Sequence, residues 1–317
     1  MNGKEIISKS SKISLRWSFR TTVQREGELW LIGGAALAWV AIFSYYPMYG
    51  IIYGFFNYYP GVDLFETEFV GLKHFIDFFK LPDVWLIFRN TLAISILNLT
   101  IGFVAPIVLA LLFNEIGHTY FKRIIQTVSY LPYFVSWVVV ASLIFAMLGG
   151  DGVVNTVLVK AGIIQNPIGF VTEGKNMWTL LVGTNVWKNI GYGSIIYLSA
   201  ISGIEHELYQ AGTVDGLSRW GMVKHITLPG IAPTILLLFI LGIGGILNAG
   251  FEQQLLLGTP QTRDYYEVID TYIYRYGIQL GNYSFSTAVG FFKSIIGILL
   301  VFATNALAKK TTDMSIF

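Results

Sequence analysis

The stretch Gly203-Ile-Glu-His-Glu-Leu-Tyr-Gln-Ala-Gly-Thr-Val-Asp-Gly-Leu-Ser-Arg-Trp-Gly-Met-Val-Lys-His-Ile-Thr-Leu-Pro229 lies between two apolar runs, 177–201 and 231–251, and the reading of the chain turns on it. Residues 205–214 have helix-forming composition, with Leu208, Ala211 and Val214 recurring at three-residue spacing. Gly216 breaks that helix, and Ser218 is placed to cap a second turn running through Val223. Ala211 and Gly212 leave one face nearly bare, which lets another protein's backbone come close. Pro229 is expected to end the unit where the next apolar run begins. The pattern predicts two short helices at an angle, held between two long ones.

Outward from this segment the chain is apolar. Of 317 residues 54% are hydrophobic and 13% charged, against about 25% charged in an average soluble chain. Aromatic residues make up 15%, which argues against disorder, and mean hydropathy is +0.60. A formal net charge of +2, spread along the chain, argues against nucleic acid as a partner. The absence of cysteine removes disulfide, thiol-catalytic and thiolate-metal chemistry. The class is a polytopic membrane protein.

A helix needs roughly 20 mostly apolar residues to cross the hydrocarbon layer. Six stretches qualify: 29–56, 87–114, 124–149, 177–201, 231–251 and 287–307. The runs are continuous rather than alternating, so they read as helices and not as barrel strands. The expected fold class is all-α, with a membrane domain over 29–308 flanked by a basic arm, 1–28, and a short tail, 309–317. Twelve basic residues fall on the side that carries both termini, and six on the other, which places both termini in the cytoplasm of a bacterial inner membrane. The arm alternates basic residues with Ile13, Leu15, Trp17 and Phe19, a pattern that suits contact with anionic membrane lipid or a tail that only sets topology. The external loops, 57–86, 150–176 and 252–286, have room for short helices.

The segment 203–229 resembles the EAA loop of ATP-binding cassette importer permeases. That pattern is Glu-Ala-Ala, three residues, Gly, nine residues, Ile, one residue, Leu-Pro. Here Gln210-Ala211-Gly212, Gly216, Ile226 and Leu228-Pro229 stand at the same spacings, with Gln210 in place of the acid and Gly212 in place of the second alanine. Asp215 keeps the acid commonly seen before the glycine. Further segments are similar to the carbohydrate importers, among them Ser129-Tyr-Leu-Pro-Tyr133, Val268-Ile-Asp-Thr-Tyr272 and Tyr283-Ser-Phe-Ser-Thr-Ala-Val-Gly290, most of all to their polysaccharide (LplB-type) branch.

The resemblance implies a type I importer permease fold and no enzyme activity in this chain. It also implies a second, usually non-identical, permease subunit, two cytoplasmic ATPase subunits that bind ATP and Mg, and an extracytoplasmic solute-binding protein that delivers an oligosaccharide. The coupling residues it implies are Leu208, Tyr209, Gln210, Ala211, Gly212, Asp215, Gly216, Arg219, Ile226, Leu228 and Pro229. A Walker-like stretch, Gly169 to Lys175, is set aside because Asn176 replaces the Ser or Thr that would hold magnesium, no strand precedes it and no helix-forming run directly follows.

Charges inside spans are rare and point to function. Lys188 lies near the middle of the fourth run and Lys293 in the sixth, with Glu252 at the outer end of the fifth. Either lysine binds hydroxyls or carboxylates of an oligosaccharide, or it pairs internally with Glu252 or with backbone carbonyls. Aromatic rings accept the C–H face of a sugar, so Tyr133, Trp137, Trp187 and Tyr192, with Asn189 and Asn248, complete the candidate substrate path. The four histidines are scattered without metal-ligand spacing, and no catalytic constellation lies inside the spans. Two alternatives stay open: the same architecture for a peptide or polyol, and a membrane enzyme of polysaccharide metabolism acting through its external loops.

Overall fold

The computed structural model describes residues 27–312. Residues 1–26 of the expected basic arm and 313–317 of the expected tail lie outside these. All regular elements among the described residues are helical; the one β-bridge is the isolated pair Phe56 and Phe69.

The chain divides into two units, Met1–Ile52 and Tyr53–Phe317. In the first, α1 (Gly27–Val40) continues as a π turn (Ala41–Tyr45) and a 3-10 helix (Tyr46–Phe55). The change of pitch falls at Pro47, whose ring and missing N–H disfavour an unbroken α-helical ladder.

In the second unit α2 (Lys73–Lys80) precedes α3 (Val84–Leu97), which passes through a π turn (Asn98–Gly102) into α4 (Phe103–Glu115). Then come α5 (Thr119–Tyr130), α6 (Trp137–Leu148), α7 (Val153–Lys160) and the 29-residue α8 (Gly174–Ser202). The hairpin helices α9 (His206–Val214) and α10 (Arg219–Met222) lead through a π turn (Val223–Thr227) into α11 (Leu228–Gly244). Short helices α12 (Glu252–Leu257), α13 (Arg263–Tyr266) and α14 (Ile269–Ile273) come before α15 (Tyr283–Thr312).

Among the described residues five helical stretches are long and apolar enough to cross a membrane: Gly27–Phe55, Val84–Glu115, Trp137–Lys160, Arg219–Gly244 and Tyr283–Lys310. The expected third run, 124–149, is not one helix. Pro132 lacks an amide proton, residues 131–134 tighten into a 3-10 turn, and Ser136 caps a new helix through its hydroxyl on the Val139 amide. The expected fifth run also shifts, starting at Arg219 and closing at Gly244. Pro229 therefore does not end the hairpin; it sits in the first turn of α11, where the wider π turn before it relieves the clash a proline makes with the preceding turn. The helix α8 does begin at Gly174, contrary to the reading that none follows the Walker-like stretch.

Between helices in lipid the hydrophobic effect contributes little, so close packing and buried hydrogen bonds carry the fold. Among the buried apolar sets is Ile107, Ala110, Tyr197, Ile201 and Ile231, where α4, α8 and α11 meet. Gly191 backs directly onto the Ser129 carbonyl, so a methyl group there would drive α8 off α5. The segment after α11 is tied down by polar side chains. Asn90, fully buried, donates to the carbonyls of Asp264 (3.1 Å) and Glu267 (3.0 Å), and Gln253 donates to Leu181 (2.6 Å). The buried Glu267 carboxylate is held between Arg263, at 2.8 Å, and Arg275. That pairing holds the Arg263 guanidinium above its usual range, the hydrogen bond to Glu267 being the main cause.

Candidate functional site

The hairpin is built by local rules. At the end of α9 the Leu217 amide donates to the Gly212 carbonyl and the Gly216 amide to Thr213, the two bonds of a Schellman cap. Such a cap needs a left-handed residue after the helix, and Gly216 has φ of 76°. The Ser218 hydroxyl then accepts from the Gly221 amide and starts α10. Both features agree with the sequence reading.

The bare face does not. Gly212 is buried inside the hairpin, and a β-carbon on it would lie 2.8 Å from Met222 Sδ and 2.9 Å from Ile226 Cδ1. The glycine at the family's second alanine position is thus matched to two long side chains of this chain's own second arm, not to another protein. Gly212→Ala is expected to cost about 1 kcal/mol through overpacking. The loss should vanish in Gly212→Ala with Met222→Ala, read as the yield of monodisperse protein after heating.

What faces outward is Leu208, Val214 and Trp220, at 49, 88 and 70% exposure, beside exposed Gln210, Ala211, Asp215 and Arg219. Tyr209 turns inward, its hydroxyl 3.0 Å from the Thr227 hydroxyl. Ile226 and Leu228 are half-buried, and Pro229 is exposed.

The candidate path residues do not form one cluster. Lys188 is buried, and its ammonium donates to the carbonyls of Tyr133 (2.7 Å), Pro132 (3.3 Å) and Val135, at the break between α5 and α6. It also sits 5.6 Å from the Tyr133 ring centre and 5.5 Å from that of Trp137. An ammonium has three donors, and three carbonyls of the chain stand within their reach, the contacts that the internal alternative for Lys188 expects. Lys293 pairs with Asp270, not with Glu252. Glu252 is exposed at the start of α12.

Trp187, Lys188 and Asn189 point three ways. Trp187 lines a groove of about 480 Å³ with Thr179, Thr184 and Asn176, whereas Asn189 donates to Asn185 at 2.7 Å. Tyr133 and Tyr192 stack with centroids 3.9 Å apart and planes 6° apart, both more than a third exposed. Asn248 lines two cavities. One, of about 430 Å³, also contains Lys293 and Ser294; the other, of about 280 Å³, contains Ser95, Asn98 and Asn185. The Ser95 hydroxyl is buried in that second crevice with no hydrogen-bond partner. Ser95, Asn98 and Asp270 were not singled out by the sequence reading. The first two sit in an apolar run where one polar residue is unremarkable, and only the fold brings them beside Asn185 and Asn248.

Residues 102–313 match the family described as the binding-protein-dependent transport system inner membrane component. The chain belongs to that family. It is therefore a multi-pass inner-membrane permease subunit and not an enzyme, ATP hydrolysis falling to separate subunits. Among its relatives, protein LplB of Bacillus subtilis (strain 168) is 40% identical over 95% of this chain and 94% of its own length. The polygalacturonan/rhamnogalacturonan transport system permease protein YteP of the same organism is 42% identical over 87% of this chain and 86% of its own. A subunit of a bacterial alginate ABC transporter, solved in complex with an alginate pentasaccharide-bound periplasmic protein, superposes with a TM-score of 0.84. It is 35% identical, with 94% of this chain and 99% of that chain covered. A second structure, of a bacterial ABC transporter involved in import of the acidic polysaccharide alginate, gives a TM-score of 0.82 at 36% identity, over 92% and 99% of the two chains.

Proposed function

We propose that this chain is one of two six-span permease subunits of an ATP-driven importer for acidic oligosaccharides, which an extracytoplasmic binding protein delivers. The observation that carries the reading is the exposure of three large apolar side chains on the hairpin, Leu208, Val214 and Trp220. Apolar surface gathered on a short hairpin marks a protein-docking face, and the ATPases of this family, which would hold ATP and Mg, are the partner it fits. The sixth span is α8, whose 29 residues reach about 43 Å at 1.5 Å per residue. Its hydropathy is lowered by Asn185, Lys188 and Asn189, of which Asn185 reaches Asn98, Lys188 the carbonyls at the α5–α6 break and Asn189 its own helix at Asn185. The charge asymmetry supports cytoplasmic termini, and the basic arm over 1–28 would rest on anionic lipid.

Acidic cargo is supported by the named substrates of the relatives, polygalacturonan and alginate. In this chain the sugar would pass the Tyr133–Tyr192 stack and Trp187 as ring platforms. Asn248, with Asn98 and Asn185 and the Lys293–Asp270 pair beside it, would offer hydrogen bonds to hydroxyls. Glu252 would lie at the rim, while Asn189, Trp137 and Lys188 hold the wall in place.

The test is ATP hydrolysis by the purified complex in liposomes, with the binding protein loaded from a panel of alginate, polygalacturonate and neutral oligosaccharides. Stimulation by the acidic sugars alone is the expected result; stimulation by neutral sugars alone would discard the acidic cargo. Tyr192→Ala is expected to raise the half-saturating sugar concentration for uptake about tenfold, the size of one stacked ring contact. An unchanged value would remove the stack from the path.

A further inference from the structure

We propose that the hydroxyls of Tyr209 and Thr227 form a latch that fastens the coupling helix α9 to the membrane helix α11, so that hairpin and helix move as one lever. The inference rests on the reading of the hairpin as the ATPase-docking element. Thr227 is 1% exposed and closes the π turn Val223–Thr227, directly before α11. Its hydroxyl reaches the Met222 carbonyl at 3.4 Å, which makes Thr227 the donor there and leaves its oxygen to accept from Tyr209 at 3.0 Å. The result is a directed chain from the ring of α9 through Thr227 to the carbonyl that closes α10.

The geometry of α9 separates two tasks. Tyr209 and Gly212, three residues apart and so on one face, look inward; Gly212 seats Met222 and Ile226. Leu208 and Val214, with Asp215, look outward. Force applied to the outward face reaches α11 through the inward one. Apolar packing alone can slide under load, whereas a hydrogen bond weakens steeply once bent or stretched and so fixes register. A π turn is also a recurrent device for placing a side chain at a functional point. Here it delivers Thr227 to the Tyr209 hydroxyl.

The test uses the whole importer complex in liposomes. The chain has no cysteine, so Leu241→Cys on the exposed side of α11 gives it a single site for an environment-sensitive fluorophore. ATP with vanadate should shift its emission. In Thr227→Val the complex still assembles and hydrolyses ATP, but the label response per vanadate-trapped complex is expected to fall about fivefold, the weight of one buried hydrogen bond. Thr227→Ser should restore the response, and Tyr209→Phe should match Thr227→Val. A residue that only supported folding would lower the amount of complex and leave the response per vanadate-trapped complex unchanged.

Parental responses in both Thr227→Val and Tyr209→Phe would overturn the latch. Should Thr227→Val fail to assemble, Tyr209→Phe decides alone. A full label response in Gly216→Pro would instead overturn the docking reading beneath the proposal, so the two failures are distinguishable.

Discussion

Replacing Gly216 by proline is expected to lower solute uptake about 100-fold while the protein still inserts in the membrane. Gly216 holds φ at 76°, and proline fixes φ near −65°, so the Schellman cap cannot close around it. Two hydrogen bonds are lost with it, Leu217 to Gly212 and Gly216 to Thr213. Opening that turn also moves Met222 and Ile226 off Gly212, so the second arm loses its seat on α9. About 3 kcal/mol of local strain leaves roughly one hairpin in a hundred in its docking shape. The measurement is sugar uptake into membrane vesicles, normalised to inserted protein, together with the amount of ATPase that co-purifies. Normal uptake by well-inserted protein would remove the coupling role from this segment. Asp215→Lys, by contrast, leaves the cap geometry intact and changes only an exposed charge, so a smaller loss is expected from it.

The second large effect is expected at Lys188. Lys188→Met keeps the volume but strips the ammonium that donates to the carbonyls of Pro132, Tyr133 and Val135 at the α5–α6 break. The Pro132 carbonyl keeps the Val135 amide at 3.2 Å, but those of Tyr133 and Val135 lose the ammonium, and a carbonyl left without a donor away from water costs about 1–3 kcal/mol before relaxation. The wall formed by Tyr133, stacked on Tyr192, should loosen as well. The thermal midpoint in detergent is therefore expected to drop by more than 5 °C, a shift that about 3 kcal/mol produces in a chain of this size. Lys188→Arg, which keeps the charge and the donors, should recover part of it. A protein as stable as the parent that has lost uptake would return Lys188 to the substrate path.

The hairpin was legible because its determinants are local. A glycine after a helix and a serine three residues before a free amide act within one or two turns of backbone, whereas the place of Pro229 depended on the π turn before it. The same holds for the apolar runs, which is why the helical class and three of the expected spans, 29–56, 87–114 and 287–307, stand close to where the pattern put them. The third run, 124–149, failed for a readable cause: its hydropathy ignored Pro132 and Ser136, which reset the helix inside an apolar stretch.

Partners of charged groups were a different matter. Lys188 reaches a carbonyl 56 residues away, Lys293 an aspartate 23 away, and Tyr209 a threonine 18 away. Spacing on one helix carries no record of such pairs, because they depend on which faces of separate helices meet.

The amino-acid order alone thus determined the membrane class, the helical hairpin with its glycine break, and membership of a transporter family through spacings that any packing would preserve. Only the tertiary structure decided that Lys188 braces a broken helix, that Gly212 faces inward and that Asn98, Asn185 and Asn248 share a crevice. The reason is physical: backbone propensity acts over a few residues, whereas the satisfaction of a buried donor is settled by whichever acceptor the packed helices bring within 3 Å or so.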